Sequence, residues 1–193
     1  MKCRLSRLFL LCPNHTFQHF RETDRTEFGL FSNLFSIFVN WEIMADIVSR
    51  QKRSENMSAI KNKDTKPEVY FRKKLFAFGL RYRKNSLAVF GCPDIFFPRY
   101  NTAVFVNGCY WHRHKGCKYA YTPKSRIDFW SAKFESNIKR DARVREELLM
   151  QKIKCLVVWE CTIKRMKKNV SFEEDVIRHV LDFLKSSNLY QEL

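Results

Sequence analysis

The amino-acid sequence predicts an α/β fold in which a mixed β-sheet is flanked by helices. Apolar residues recur at helical spacing in three segments, and four extended runs rich in β-branched and aromatic residues lie among them. One of these runs is apolar almost throughout, which is typical of a strand buried on both faces. The predicted order is α-β-β-β-α-β-α, and 193 residues with 45% hydrophobic composition suffice for one domain with a core.

The first predicted helix begins at residues 64–68, DTKPE, where a capping side chain precedes a proline in the first turn. Phe71, Leu75 and Phe78 then share one helical face, and Gly79 ends the helix.

Three extended runs follow the first helix and are separated by Gly, Pro and Asn. They are LRYRK (80–84), DIFFP (94–98) and TAVFVN (102–107). Their content of β-branched and aromatic residues predicts three strands.

A long helix is predicted from about Ile127 to Gln151. Its apolar face is expected to contain Ile127, Trp130, Phe134 and Ile138. The run CLVVWE (155–160) predicts the buried strand, and an amphipathic helix is expected near Phe172 to Leu184.

Residues 1–43 differ from the rest of the chain. They contain seven Phe with little periodicity, and no apolar stretch approaches the roughly twenty residues of a membrane span. The opening MKCRLSRLFLLC also carries too short an apolar run for a signal peptide. Because Met44 and the residues after it resemble a natural start, we expect residues 1–43 to be a poorly ordered extension or a misassigned start, and residues 44–193 to form the domain.

The charge of the chain favours a polyanionic partner. Thirty-six Lys and Arg against twenty Asp and Glu give a formal net charge of +16. Nucleic acid fits better than an anionic membrane, because the basic residues are spread along the chain and do not form one amphipathic helix. Seven cysteines, an odd number, favour a reducing cytoplasm in which some thiolates bind a metal.

A metal-binding pattern follows the third predicted strand. Cys109, His114 and Cys117 form C-x4-H-x2-C, and Cys161 lies just beyond the run 155–160, where a sheet would bring it alongside. Three thiolates and one imidazole form a closed tetrahedral set, the pattern of structural Zn2+, which would staple the loop. The alternative is that the cysteines are buried core thiols and the histidine is a solvated loop residue.

A second group of residues suggests a catalytic site. Asp94 opens a predicted strand, and a carboxylate there can bind Mg2+ together with a backbone carbonyl, while Glu68 is placed to supply a second carboxylate. His112 is a candidate base that activates water, and Asp141 is its candidate orienting partner. Taken singly, each acid also fits an ordinary turn or helix residue, and the histidine a surface residue.

Two further pairs suggest contacts with DNA. Tyr110 and Trp111 are adjacent, so both cannot point into one core from an extended backbone, and an exposed aromatic side chain can wedge between bases. Lys133 and Asn137 are four residues apart on the long helix and can present hydrogen-bonding groups to base edges. The alternatives are core packing for the aromatic residues and a solvated polar face for the helix.

A family resemblance unites these motifs. The runs RSENMSAI, DTKPE, CPDIFF, VFVNGCYWHRHKGC, DFW, NIKRD and VVWEC, over about residues 46–165, resemble the very short patch repair (Vsr) DNA mismatch endonucleases. The resemblance implies a restriction-endonuclease-like fold, dependence on Mg2+, one structural zinc, and nicking of DNA on the 5′ side of the thymine in a T:G mismatch. Such mismatches arise when 5-methylcytosine deaminates, and the family acts in bacteria beside a cytosine methyltransferase.

The resemblance also implies roles for single residues. Asp94 matches the metal-binding aspartate, Val106 supplies a carbonyl ligand, and Glu68 matches the acid that reaches the metal through water. His112 and Asp141 match the catalytic histidine and its partner. Cys109, His114, Cys117 and Cys161 match the zinc ligands, Tyr110, Trp111 and Met57 match apolar residues inserted beside the mismatch, and Trp130, Lys133 and Asn137 match residues near the active site or the mismatched pair.

Two positions depart from the family pattern. Asn107 stands where the best-known member has a second active-site histidine, and an amide cannot carry a proton at neutral pH, so we expect the rate or its pH dependence to differ. Gly116 is an extra residue before Cys117, which a flexible loop absorbs.

We therefore expect a strand-specific, Mg2+-dependent mismatch endonuclease that acts as a monomer on double-stranded DNA in the bacterial cytoplasm, associated with the nucleoid when bound. Mismatch-repair proteins are candidate partners. Two alternatives stay open: a restriction-type nuclease that cuts matched duplexes, and a zinc-stapled DNA-binding module whose active site is inactive.

Overall fold

Five strands form one mixed sheet, and their order across the sheet follows their order along the chain. The computed structural model describes residues 49–61 and 63–193. The strands are β1 (Arg83–Lys84), β2 (Ile95–Phe97), β3 (Thr102–Asn107), β4 (Lys154–Trp159) and β5 (Tyr190–Glu192). Neighbouring strands from β1 to β3 are antiparallel, whereas β3, β4 and β5 are parallel to one another. The predicted mixed α/β architecture is confirmed.

Within the described part of the chain, five α-helices accompany this sheet. They are α1 (Arg50–Ser58), α2 (Lys66–Ala77), α3 (Ile127–Met150), α4 (Glu160–Met166) and α5 (Val170–Lys185), and a short 3-10 turn covers Pro98–Tyr100. No helix in residues 49–61 or 63–193 is long and apolar enough to cross a membrane.

The second helix begins and ends where the sequence predicts. Thr65 caps α2 by accepting a hydrogen bond from the Glu68 backbone N–H at 3.5 Å, and Gly79 follows the helix with φ of +80°. Phe71 and Leu75 are fully buried, but Phe78 is 50% exposed. Phe78 is exposed because it caps the helix, where the chain has already begun to turn away from the core.

Both faces of the sheet are covered, as the apolar run of β4 predicts. Leu156 and Val158 pack with residues of α2, α4 and α5 on one face. The alternating residues Cys155, Val157 and Trp159 belong to a second apolar cluster, which also contains Leu148 of α3. All six residues of β4 are buried, and this strand therefore joins the two cores.

The buried side of α3 differs from the predicted apolar face. Phe134 is buried as expected, but Ile127 and Ile138 are 54% and 49% exposed. Asn137 and Leu148 complete the buried stripe. This buried stripe is displaced from the predicted apolar face because it includes the polar residue Asn137. Apolar periodicity does not detect a buried polar residue.

Several elements were not predicted. The short helices α1 and α4 and the C-terminal strand β5 are additional, and β1 covers only two residues of the predicted run 80–84. Helix α4 begins immediately after β4, with no Gly, Pro or Asn to mark the boundary. The predicted extension (1–43) and the start at Met44 lie outside the described residues.

Candidate functional site

Two groups of potential metal ligands lie near the edge of the sheet where β3 and β4 end. These strands are parallel, and Asn107 at the end of β3 pairs in register with Trp159 at the end of β4. The chain then enters a loop that carries Cys109, and after β4 it enters α4, which carries Cys161. Parallel pairing therefore brings together two cysteines that are far apart in sequence.

The first group consists of Cys109, His114, Cys117 and Cys161, and we name it the Cys3His cluster. One potential ligand atom of each residue lies within 4.8 Å of all the others. The His114 Nδ1 atom is 3.7 Å from Cys109 Sγ and 3.4 Å from Cys161 Sγ. Since Zn–S bonds are about 2.3 Å long, this spacing suits a tetrahedral metal ion, and three thiols with one imidazole are ligands that zinc prefers.

The loop around the cluster is built from tight turns. The His114 N–H donates to the Cys109 carbonyl at 3.1 Å, and the Cys117 N–H donates to the His114 carbonyl at 3.2 Å. Gly116 has φ of +71°, and a Cβ atom there would meet open space. The imidazole of His114 also stacks on Trp159, with ring centroids 4.1 Å apart.

Burial makes Cys109 unfavourable as a free thiolate. It raises the pKa of Cys109 to about 12 and lowers the pKa of His114. The imidazole is therefore neutral, as a metal ligand must be, whereas the Cys109 thiol keeps its proton until a cation replaces it. The cluster can hold a metal ion, and loading it releases protons.

The second group is centred on Asp94, which precedes β2. Its carboxylate Oδ2 accepts a hydrogen bond from the backbone N–H of Val106 at 2.8 Å, a contact that the antiparallel pairing of β2 and β3 makes available. Burial raises the pKa of Asp94 to about 6. The charge of Glu68 adds to this increase, while the Val106 hydrogen bond and the charges of Arg72 and His112 oppose it.

Glu68 is the second carboxylate of this group. The residue is 5% exposed, and its Oε1 atom accepts a hydrogen bond from the Thr65 hydroxyl at 2.6 Å. Its Oε2 atom is buried and has no hydrogen-bond partner among the described residues. Buried acceptors are normally satisfied, so an unpaired carboxylate oxygen within electrostatic reach of Asp94 suits a hydrated divalent cation.

His112 and Asp141 form the predicted pair. The His112 Nδ1 atom lies 2.5 Å from Asp141 Oδ2, and Arg140 donates to the other oxygen of Asp141 at 3.0 Å. Burial would raise the pKa of Asp141, but the hydrogen bond with His112 and the charges of His112 and Arg140 outweigh it and lower that pKa. With Nδ1–H donating to an ionised carboxylate, Nε2 is the nitrogen that can accept a proton.

His112 and His114 are only two positions apart, but their side chains belong to different groups. The backbone N–H of His112 donates to the Gly108 carbonyl at 3.1 Å, within the same succession of turns that carries His114. His112 meets the carboxylate on α3, whereas His114 meets the thiols. The loop therefore supplies a potential metal ligand and a potential base from neighbouring positions.

An aromatic cluster adjoins these groups. Tyr110 has ring centroids 5.1 Å from Trp111, 5.1 Å from Tyr121, 5.9 Å from Trp130 and 5.2 Å from Phe134. Both Tyr110 and Trp111 keep partial exposure while they pack on one another. They are therefore neither fully buried nor free side chains.

Arg113 also braces this cluster, although sequence reasoning gave it no role. Its guanidinium lies 4.4 Å from the centroid of Phe134 and donates hydrogen bonds of 3.0 Å to the Tyr121 carbonyl and to the Thr122 hydroxyl. Its position between two candidate site histidines was the available signal. It ties the segment at residues 121–122 to the loop.

The remaining predicted DNA contacts differ in their surroundings. Met57 lies on α1 and is 45% exposed, and Lys133 is exposed on α3. Asn137, four residues later, is 8% exposed, and its amide donates to the Trp111 carbonyl at 2.9 Å. The two polar residues of α3 therefore do not present equally accessible groups.

Comparisons with known proteins agree with this arrangement. Residues 45–118 match the family model described as DNA mismatch endonuclease Vsr. A type II nicking enzyme of Neisseria meningitidis is 46% identical over 121 residues, which are 63% of this chain and 86% of that protein. A type II nicking enzyme of Xanthomonas oryzae is 37% identical over 139 residues, 72% of this chain and 98% of that protein. The DNA mismatch endonuclease Vsr of Escherichia coli is 34% identical over 125 residues, 65% of this chain and 80% of that protein.

Proposed function

This chain belongs to the Vsr family of DNA mismatch endonucleases, and we propose that it is a Mg2+-dependent enzyme that nicks DNA on the 5′ side of the thymine in a T:G mismatch. Membership makes it a DNA endonuclease and hence a hydrolase. The observation that carries the finer proposal is the 2.5 Å contact between His112 and Asp141, together with the effect of the His112 charge on Asp94. These two observations support the proposal of a base with an oriented tautomer near a carboxylate that suits a metal ion.

In this proposal Asp94, the Val106 carbonyl and Glu68 hold Mg2+, with Glu68 acting through water. The ion would stabilise negative charge on the scissile phosphate and on the departing 3′ oxygen. The Val106 N–H fixes the direction of the Asp94 carboxylate, and Thr65 holds one oxygen of Glu68. The chain's own hydrogen bonds therefore orient both acids before DNA arrives.

His112 acts as the base for hydrolysis. Asp141 accepts its Nδ1–H and thereby directs Nε2 towards the attacking water, whose proton His112 accepts as the oxygen attacks phosphorus. The negative charge of Asp141 also stabilises the imidazolium that results. His112 and, to a smaller extent, Arg140 lower the pKa of Asp141 and keep it ionised, and Arg140 donates to the oxygen that His112 does not use.

The aromatic cluster and α3 recognise the mismatch. Tyr110, Trp111 and Met57 insert beside the mismatched pair, and Trp130, Lys133 and Asn137 lie close to it. A mismatched step costs less to unstack than a paired one, so a wedge favours the damaged site before any base edge is contacted. The net charge of +16 supplies affinity for the DNA backbone that does not depend on sequence.

The proposal extends to the architecture and the setting of the protein. The mixed sheet corresponds to a restriction-endonuclease-like fold, and the ion in the Cys3His cluster is Zn2+, which holds the loop and takes no part in hydrolysis because protein ligands fill all four positions. The protein acts as a monomer on DNA in the bacterial cytoplasm, and mismatch-repair proteins are candidate partners.

A nicking assay with paired libraries tests the function. Two duplex libraries carry T:G or T:A at one position within randomised flanking bases, and each is treated with the full chain in Mg2+, with Asp94→Asn as control. We expect nicks 5′ to the thymine in the T:G library only, and none with the control variant. Sequencing of the nicked strands also gives the preferred flanking bases.

The same assay separates the alternatives. Equal cleavage of both libraries would establish a nuclease for matched duplexes. Binding without cleavage of either library would establish a DNA-binding module, and an Asp94→Asn variant that nicks as well as the wild type would refute the assigned metal site.

A further inference from the structure

Arg72 is a buried cation that the proposed reaction does not use. It lies on α2 one helical turn after Glu68 and is 6% exposed. One of its terminal nitrogens, Nη2, forms an ion pair with Asp64, while the other, Nη1, is buried without a hydrogen-bond partner among the described residues. An arginine with five donors is seldom buried with one end unpaired, because desolvation then goes uncompensated.

Glu68 also has a buried side-chain atom that lacks a hydrogen-bond partner among the described residues. Glu68 Oε2 is buried and without a hydrogen-bond partner within the described part of the chain, like Arg72 Nη1. Residues four apart on a helix lie on the same side, so the two side chains share one face of α2. The positive charge of Arg72 also reaches Asp94, since it acts to lower the pKa of that carboxyl. The cation therefore shares a face of α2 with Glu68 and acts electrostatically on Asp94.

Asp64 holds the other end of Arg72. Its side chain is 50% exposed, and its hydrogen bond with Arg72 is the largest of the influences that lower its pKa. Lys84 and Lys61 act in the same direction. Asp64 directly precedes the capping residue Thr65, so the segment that holds Glu68 also holds Arg72.

Other charged groups near this cation are accounted for. His112 is the other positive influence on Asp94, and it is engaged with Asp141. The Tyr82 hydroxyl donates to the backbone carbonyl of Arg72 at 3.2 Å, and its pKa is raised by burial, so it stays neutral. Arg72 is thus the cation of α2 that pairs with the exposed Asp64, lies on the same face as Glu68 and acts electrostatically on Asp94.

We propose that Arg72 is a positioning residue for the divalent metal ion, which sets how strongly Glu68 and Asp94 hold the ion, and that Asp64 moderates its effect by drawing the guanidinium outwards. The inference rests on the proposed function, since it takes these two acids as the metal site. A like charge beside a metal ion weakens binding. Without Asp64, the whole charge of Arg72 would act on the acids, whereas without Arg72 their charge would be uncompensated.

The experiment measures Mn2+ binding to the zinc-loaded full chain from the electron paramagnetic resonance signal of free Mn2+. Mn2+ prefers oxygen ligands and therefore probes the acids and not the Cys3His cluster. The titration is made at pH 8, above the pKa of about 6 of Asp94. Subtraction of binding to Asp94→Asn isolates the site of interest.

The decisive result is whether each substitution strengthens or weakens Mn2+ binding. We expect Arg72→Gln to tighten Mn2+ binding by about fivefold and Asp64→Asn to weaken it by about twofold. Asn suits position 64 because the backbone there is left-handed, with φ of 53°. Arg72→Lys should restore affinity close to that of the wild type, and Lys73→Gln, which removes an exposed cation from the same helix, should leave affinity unchanged.

A purely structural role for Arg72 predicts a different pattern, because disorder in α2 would weaken binding in Arg72→Gln. Weaker or unchanged binding in that variant, or changes of the same sign in Arg72→Gln and Asp64→Asn, would overturn the inference. If Arg72→Gln does not fold, the surface variant Asp64→Asn still decides, since unaltered or tighter binding contradicts the proposal. If Asp94→Asn binds Mn2+ as the wild type does, the metal site of the proposed function fails and this inference fails with it.

Discussion

The Cys3His cluster and the group around Asp94 lie near the same edge of the sheet but are built on different principles. The cluster gathers four ligand atoms within 4.8 Å of one another, so that the protein alone can complete a tetrahedral shell. The Asp94 group offers two orientated carboxylates, one with an unpaired oxygen, and leaves places for water or phosphate. A closed set of ligands stabilises a fold, whereas an open set allows a reaction, and the loop that carries most of the closed set also carries His112.

Among the variants that test whether the two groups act separately, Asp94→Asn should have the largest effect. We expect nicking to fall by about three orders of magnitude, because the amide cannot supply the charge that holds Mg2+. The metal content of the Cys3His cluster should not change. Nicking rates and zinc content per chain are the measurements, and loss of zinc in this variant would show that the two groups are not independent.

The two loop histidines offer a matched pair of variants. His112→Gln should reduce nicking by about 100-fold or more while thermal stability is retained, because only the base is lost. His114→Gln should lose the cluster's metal and unfold at a lower temperature, because it removes a ligand. Parallel assays of nicking, metal content and thermal unfolding check both, and the same behaviour of the two variants would contradict the division of the loop.

Removal of the metal proposed for the Cys3His cluster tests the closed site alone. A strong chelator should lower the melting temperature of the wild type by about 10 °C, because metal binding contributes to folding free energy. Cys161→Ser should already melt low and respond little to the chelator. Cys155→Ala, which alters a buried cysteine outside the cluster, is the control and should keep the full response.

The pH dependence of folding stability tests the burial of Asp94 in the open site. Burial holds the pKa of Asp94 at about 6, above the value of an unfolded chain, so the folded state binds this proton more tightly. In the absence of Mg2+, this group stabilises the fold below about pH 4, and the contribution, about 3 kcal/mol at most, is lost as the pH rises through 6. The difference in unfolding free energy between wild type and Asp94→Asn, measured by denaturant titration from pH 4 to pH 7, should follow this course. A difference that does not vary with pH would show that the carboxyl is not buried as described.

The smallest effect is expected at Asn107. Since His112 is already oriented by Asp141, a second imidazole is not needed for proton transfer, and Asn107→His should change the nicking rate by less than about tenfold. Rate profiles between pH 6 and pH 9 measure it. A change of several orders of magnitude would mean that position 107 limits catalysis.

The sequence predicted the elements and groups that depend on local pattern. The β3 and β4 runs, the span of α3 and the helix cap at Thr65 are recovered within one or two residues, because strand composition and capping are local. The Cys3His cluster is brought together as expected, since its spacing and the position of Cys161 at a strand end constrain it strongly.

Long-range burial was not predictable in the same way. Sequence does not show that Asn137 is buried beneath the loop carbonyl of Trp111, nor that Arg72 is enclosed with an unpaired nitrogen. Both are polar residues on helices, for which an exposed face is the ordinary expectation. Their burial depends on how helices meet the sheet and the loop, and apolar periodicity carries no information on such positions.

The pairing of β3 with β4 also bears on the order in which the protein can mature during synthesis. Three ligands of the Cys3His cluster leave the ribosome together, but Cys161 follows only after α3 and β4 have been made. In the nascent chain the loop therefore lacks one partner thiol, that of Cys161, until β4 has paired with β3. Translation speed through α3 and β4 and the local supply of metal thus decide how long reactive cysteines stay uncovered in each new chain.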